Sequence, residues 1–196
     1  MNEEDKRVIR TRRRLEAALL ELSRDEGYDA VTIQEITDRA GINYRTFFRH
    51  YDGKDALLND ILQTTLAGLM EVMPPPLEEY NVTDFEGTAQ RRGRALYEFV
   101  AANSDLFRVL LQSGPAALLP TQELAEAEVM KYLEHLPLGN IPATLLANHL
   151  ITSIFSFVQW WLDNDMNHSP AEMGDYAAQL IMLPVRRLLV KNAATV

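Results

Sequence analysis

The sequence has no cysteine among its 196 residues. This absence excludes disulfides, thiolate nucleophiles, and zinc or iron–sulfur centres held by thiolates. The first ten residues are rich in charge and contain no apolar run, so they do not resemble a secretory signal. Together these features predict a protein of the reducing cytoplasm.

Strand patterns are also missing, because no stretch alternates regularly between apolar and polar residues. Apolar residues instead recur every three or four positions, between residues typical of helix starts and stops. The clearest start is Ser169-Pro170-Ala171-Glu172, with Ser at the N-cap, Pro next and Glu three residues on. The sequence predicts an all-α protein of about nine helices, the last running to about Lys191 with a kink at Pro184.

Clusters of catalytic or metal-ligating residues are scarce. Asp163, Asp165 and His168 lie close in sequence, but their spacing matches no metal-ligand signature, and a polar loop between helices explains them better. There is no glycine-rich phosphate loop, and no Ser-His-Asp arrangement can be argued. The sequence therefore predicts no enzyme, no metal site and no cofactor.

An excess of positive charge is lacking overall, since the formal net charge is −9. The basic residues are nevertheless concentrated, with 11 of the 19 Lys and Arg in residues 1–58 and six of them between Lys6 and Arg14. This distribution suits a protein that touches a polyanion with one end only. The alternative is a solvated helix face.

Residues 141–162 carry no formal charge, and their length is enough to cross a bilayer. Polar residues recur along this stretch every three or four positions, however, and no basic anchor follows it. A helix buried between a core and a partner has the same appearance. The sequence therefore favours a protein without a membrane segment, with a membrane-attached protein as the alternative.

A helix-turn-helix pattern stands out in the first 58 residues. Thr32 and Glu35 form a capping box for a short helix to Ala40, and Gly41 supplies a tight turn. Asn43 can cap a second short helix over residues 44–50. Such a helix presents its first residues to base edges, with three aromatic residues expected on its inner side: Phe47, Phe48 and Tyr51.

At these residues the sequence resembles a known family. The motifs are Gly27 to Thr32, Ile36 to Ile42 (ITDRAGI), Phe48 to Tyr51 (FRHY) and Lys54 to Leu57 (KDAL). Their order and spacing over residues 15–58 resemble the DNA-binding head of TetR-type, or tetracycline-repressor-like, transcriptional regulators. One departure is Phe48, where the family usually has a Tyr whose hydroxyl meets a phosphate.

The resemblance implies contacts to double-stranded DNA for particular residues. Those expected to meet bases are Tyr44, Arg45, Thr46, Arg49 and Gln34. Those expected to meet phosphates are Thr32, His50 and Lys54. It also implies a homodimeric repressor on a palindromic operator, with residues 1–58 binding DNA and residues 59–196 dimerising and holding a small-molecule effector.

The body of the chain offers candidates for both of these roles. The apolar helices near the C-terminus resemble the pair that forms the dimer interface in the family, with candidates Ile154, Val158, Leu162, Leu180 and Leu188. Polar or aromatic residues within apolar helices are effector-site candidates: Tyr97, Arg108, Gln112, Asn148, His149, Gln159 and Trp160. The alternative function is an all-α small-molecule-binding or enzymatic protein whose helix-turn-helix is not used on DNA.

Overall fold

The computed structural model describes residues 3–72, 85–113, 115–134, 136 and 138–187. Within them the regular structure is entirely helical, which confirms the all-α prediction. The helices are α1 (Glu3–Glu26), α2 (Ile33–Ala40), α3 (Tyr44–Phe47), α4 (Lys54–Val72), α5 (Phe85–Ala102), α6 (Ser104–Gln112), α7 (Pro115–Leu133), α8 (Ala143–Asp163) and α9 (Pro170–Ala177). None of the helices in the described ranges has the length and hydropathy that a membrane crossing needs.

The chain forms two compact units. The first comprises Met1–Gly68 with Asp105–Leu118, and the second comprises Leu69–Ser104 with Leu119–Val196. The sequence predicts a DNA-binding role for residues 1–58 and a dimerising and effector-binding role for residues 59–196. This division stays a prediction.

The core of the first unit is built on the inner face of α1. Leu15, Leu19 and Leu22 are buried there, at the spacing of successive helical turns. Ile36 of α2 and Phe47 of α3 are buried as well. Helix α2 packs against α1, and α3 packs against α2, as the apolar periodicity of these short helices requires.

In the second unit, α5 and α9 approach each other through two glycines. A Cβ added to Gly174 would lie 2.5 Å from the backbone nitrogen of Arg94, and one added to Gly93 would lie 2.8 Å from the Cα of Gly174. The two backbones are thus in direct contact, which only residues without a side chain permit.

The capping box predicted at Ser169 is confirmed. The Ser169 hydroxyl accepts a hydrogen bond from the Glu172 backbone N–H, and the Glu172 carboxylate accepts one from the Ser169 N–H at 2.7 Å. The Ser169 hydroxyl also donates a hydrogen bond to the Glu172 carboxylate at 2.7 Å. The pKa of Glu172 is lowered first by this side-chain bond and then by the bond from the Ser169 N–H.

Just before Pro184, where a kink is predicted, the structure has a π-helical turn over Ala178–Met182. In this turn the Leu183 N–H donates to the Ala178 carbonyl, five residues back. Proline clashes with the carbonyl four residues before it, and a wider turn just ahead of Pro184 accommodates that clash. The chain is helical again through Arg187, and residues 188–191 of the predicted helix lie outside the described residues.

Candidate nucleic-acid interface

The N-terminus of α2 is fixed by the capping box expected from the sequence. The Glu35 carboxylate accepts hydrogen bonds from the Thr32 N–H at 2.8 Å and from the Thr32 hydroxyl at 2.7 Å. The pKa of Glu35 is lowered, first by the side-chain bond and then by the backbone bond. Thr32 is exposed, but its hydroxyl proton is directed at Glu35, and a phosphate contact by Thr32 stays a prediction.

The turn between α2 and α3 depends on Gly41. Its φ is 60° and its ψ is 40°, in the left-handed region that favours glycine. Its carbonyl accepts a hydrogen bond from the Arg14 guanidinium at 3.5 Å, which connects the turn to α1. The turn predicted from the sequence is confirmed by this geometry.

Helix α3 begins where it was expected, since the Asn43 side chain accepts a hydrogen bond from the Arg45 N–H at 2.9 Å. It ends at Phe47 rather than at His50. The chain then continues in tighter turns, with the Arg49 N–H donating to the Thr46 carbonyl and the His50 N–H to the Phe47 carbonyl. The predicted recognition helix is therefore one α-helical turn followed by a tighter one.

The side chains expected to meet bases are accessible on these elements. Tyr44, Arg45 and Arg49 are exposed, and Thr46 is half-buried. Gln34 is exposed on α2, where its amide donates to Asp38 at 2.9 Å. The structure thus brings four of the five predicted residues together within two turns of chain, and Gln34 lies on the neighbouring helix.

The three aromatic residues of this segment do not all point inward. Phe47 and Tyr51 are buried, as expected, but Phe48 is 44% exposed. Successive residues of a helix point about 100° apart, and here only the Phe47 side chain is directed into the core. The expectation that Phe48 is an inner anchor is therefore wrong.

The Lys54 ammonium is bound to backbone carbonyls of the loop before α2. It donates to Tyr28 at 2.7 Å, to Val31 at 3.0 Å and to Asp29 at 3.2 Å. It also lies 4.5 Å from the centre of the Tyr28 ring. An ammonium has three protons, and these carbonyls engage all three. A phosphate contact by Lys54 stays a prediction, and in this arrangement it would cost one of these bonds.

Two tyrosine–aspartate hydrogen bonds further attach α4 to the helix-turn-helix. The Tyr28 hydroxyl donates to Asp55, and the Tyr51 hydroxyl donates to Asp60 at 2.6 Å. Arg12 of α1 completes the second contact, with its guanidinium 3.6 Å from Asp60. Burial first, and then these bonds, raise the pKa of both tyrosines. The sequence analysis predicted neither the two tyrosine–aspartate hydrogen bonds nor the contact of Arg12 with Asp60.

The dimer candidates in the second unit are placed very differently from one another. Val158 and Leu162 are only 4% and 1% exposed, so their side chains belong to the core of the unit and are not available to a second copy. This corrects the choice of those two residues. Ile154 is half-buried and Leu180 is 66% exposed, while Leu188 lies outside the described residues.

The effector candidates are divided between the two units. Arg108, half-buried, and Gln112, exposed, are on α6 in the first unit. In the second unit Tyr97 is buried, with its ring 5.3 Å edge-on from Trp161. The other candidates are exposed on α8: Asn148, His149, Gln159 and Trp160. Asn148 donates to Glu126 at 3.0 Å, so its amide already has a partner.

A short capped helix, a left-handed glycine turn and a second short helix with exposed polar and cationic side chains define a helix-turn-helix protein. Residues 15–61 match the model described as bacterial regulatory proteins, tetR family, and residues 90–183 match the model of a transcriptional regulator C-terminal region. The chain belongs to the TetR family, and its N-terminal residues are the helix-turn-helix domain of that family.

A curated relative and two solved structures are similar to this chain. The uncharacterized HTH-type transcriptional regulator YxbF of Bacillus subtilis (strain 168) is 37% identical over 68 residues, 34% of this chain and 18% of that protein's length. A TetR-family regulator from Syntrophomonas wolfei shares the fold at a TM-score of 0.73 and 15% identity, over 88% of this chain and 93% of that one. A TetR regulator from Streptococcus agalactiae 2603V does so at 0.65 and 21%, over 91% and 97%.

Proposed function

We propose that this protein is a homodimeric transcriptional repressor of the cytoplasm that binds a palindromic DNA operator. The observation that carries the proposal is the surface of α3 and the turn after it. Tyr44, Arg45 and Arg49 are exposed there on a segment whose inner side is anchored by the buried Phe47. Guanidinium groups and hydroxyls are suited to the donor and acceptor pattern of the major groove. The proposal requires no cofactor and no catalytic step.

Phosphate contacts are proposed on either side of this surface. Half-buried His50 ends the recognition segment, which is α3 and the tighter turn after it (residues 44–50), and exposed Thr32 caps α2. Lys54 is proposed to contact a phosphate as well, by exchanging one of its hydrogen bonds to the carbonyls of residues 28–31. Contacts of this kind fix the register of the protein on DNA, and they make binding depend on salt.

The dimer is proposed because one short recognition segment covers too few base pairs, and two segments across a palindrome cover enough. A groove in the second unit supports it, because its lining includes large exposed apolar side chains. Leu180 is 66% exposed, Trp160 48% and Tyr176 37%. We propose this groove, which Ser156, Phe157 and Met173 complete, as the surface that a second copy covers.

A small-molecule effector is proposed to bind in the second unit at Tyr97. The Tyr97 hydroxyl is buried, and within the described residues it has no hydrogen-bond partner. Leaving a buried donor unpaired is costly, and a ligand with an acceptor atom would remove that cost. The effector expected from this site is an apolar molecule with one acceptor. Tyr97→Phe should abolish release of DNA by such a compound while leaving operator binding intact; an unchanged response would contradict the site.

The DNA-binding proposal is tested by selecting binding sequences from a random pool and measuring affinity for the enriched site. Arg45→Ala should weaken binding to that site by about 1–3 kcal/mol and binding to random DNA far less. Lys131→Ala provides the control, since it removes a cation from α7 in the second unit. If no sequence is enriched, or both variants behave alike, the chain does not read DNA through α3.

The dimer proposal is tested by sedimentation at micromolar concentration. Leu180→Arg should convert the dimer to a monomer, because the charge would be placed in an apolar interface. Leu145→Arg is the matched control, since Leu145 is 61% exposed on α8 but does not line the groove. A monomeric wild-type protein, or equal effects of the two substitutions, would refute the proposed interface.

A further inference from the structure

An exposed aromatic pair lies within the recognition segment. Tyr44 and Phe48 are 45% and 44% exposed, and their rings meet edge to face with centroids 5.1 Å apart. The Phe48 ring also touches the ring of the fully buried Phe47, at 5.3 Å. Phe48 is therefore held from two sides in one orientation while much of its surface remains in water.

The chemistry of Phe48 limits what it can recognise. A phenyl ring has no hydrogen-bond donor or acceptor, so it can bind neither a phosphate oxygen nor the polar edge of a base. It requires an apolar partner. The partner must also tolerate the exposed cations Arg45 and Arg49, which adjoin the pair in the chain. A polyanion that carries an apolar group satisfies both conditions.

The major groove of DNA contains one such group, the C5-methyl of thymine, which is recognised by apolar side chains. We infer that Phe48, supported by Tyr44 and Phe47, reads the methyl group of a thymine in each half-site of the operator. This inference rests on the proposed function and adds a specificity-determining residue to it.

Replacing thymine by deoxyuridine tests the inference, because it removes the methyl group and leaves the pairing edge unchanged. Each thymine of the selected operator is replaced in turn, symmetrically in both half-sites, and the dissociation constant is measured. A buried methyl is worth about 0.8 kcal/mol, or about fourfold in affinity, so loss of one methyl in each half-site should weaken binding by about 15-fold. One symmetric position should show this effect with the wild-type protein.

Variants of Phe48 connect the effect to this side chain. Phe48→Ala should bind the natural operator about as weakly as the wild type binds the deoxyuridine operator, and should be indifferent to that replacement. Phe48→Leu keeps an apolar contact and should retain part of the discrimination. Thermal melts show whether either variant is folded, and the wild-type measurement with modified DNA does not depend on any variant.

The possible outcomes distinguish failure of this inference from failure of the proposed DNA-binding function. Selective operator binding that is indifferent to every thymine methyl overturns the inference and leaves the proposed function intact. A methyl effect that persists in Phe48→Ala also overturns it, because another side chain then reads the methyl. If the rings cover a protein surface instead, Phe48→Ala leaves operator affinity unchanged, which again overturns it. Absence of any selective DNA binding overturns both.

Discussion

The contact between α5 and α9 makes Gly174→Ala a sharp test of the packing in the second unit. Gly174 has no positive φ, so alanine fits its backbone conformation. The added Cβ would nevertheless lie 2.5 Å from the Arg94 nitrogen and 3.0 Å from the Arg94 Cα. These atoms belong to the backbone of α5 and cannot rotate away, so the two helices must move apart.

Two effects of opposite sign decide the magnitude. Alanine is favoured over glycine inside a helix by about 1 kcal/mol. Overpacking costs about 1–3 kcal/mol, and a contact roughly 1 Å inside the usual separation with rigid backbone belongs at the upper end. We therefore expect Gly174→Ala to lower the free energy of unfolding by about 2 kcal/mol. For a chain of this length that corresponds to a melting temperature lower by about 4–8 °C.

The assay is a thermal melt of the wild type and Gly174→Ala, followed by circular dichroism at 222 nm. Gly53→Ala is the control, because no atom lies within 4 Å of a Cβ at that glycine and its φ is not positive. That variant should melt within about 2 °C of the wild type. If Gly174→Ala melts at or above the wild-type temperature, helix propensity outweighs the clash and the close approach of α5 and α9 is not real.

The remaining predictions concern the loop before α2, the turn and one helix cap. Lys54→Met should lower the free energy of unfolding, measured in urea, by about 2 kcal/mol, because three carbonyls of the loop lose a charged donor. Lys54 would contact a phosphate instead if the variant kept its stability and its DNA affinity depended less on salt. The slope of log K for DNA binding against log salt concentration would then be flatter by about one. Gly41→Ala should cost about 1 kcal/mol in the same assay, since alanine is strained at a φ of 60°. The lowered pKa of Glu172 means that its capping bonds stabilise the fold above its ordinary pKa of 4.5 and are lost as the pH falls through the folded value. The melting temperatures of wild type and Glu172→Gln should therefore converge below about pH 4.5, and a constant difference down to pH 3 would contradict this.

Features encoded by a few neighbouring residues were predictable from the sequence. The capping boxes at Thr32 and Ser169 each involve residues three apart, and Gly41 provides a backbone conformation that few other residues adopt. These signals also predicted the short helices that lie between them. They predicted as well that Arg45 and Arg49 are exposed on the second of these helices or just after it.

Features that depend on distant contacts or on burial were not predictable. The Lys54 ammonium meets carbonyls 23–26 residues away in the chain, and the spacing of motifs contains no sign of this. Val158 and Leu162 have the same apolar character as exposed Leu180, so residue type could not separate buried positions from exposed ones. Phe47 and Phe48 are likewise the same residue type, and only Phe47 is buried.

The hydrogen bond between Tyr51 and Asp60 limits where the helix-turn-helix domain can be exchanged between proteins of this fold. A chimaera joined at residue 58 would separate the Tyr51 hydroxyl from its acceptor, and Arg12 from its ionic partner. A joint beyond Leu62 would transfer both contacts, together with the buried Ile61 and Leu62. A transferred segment that keeps both contacts therefore includes Arg12 of α1 and the first two turns of α4, and it is longer than residues 15–58.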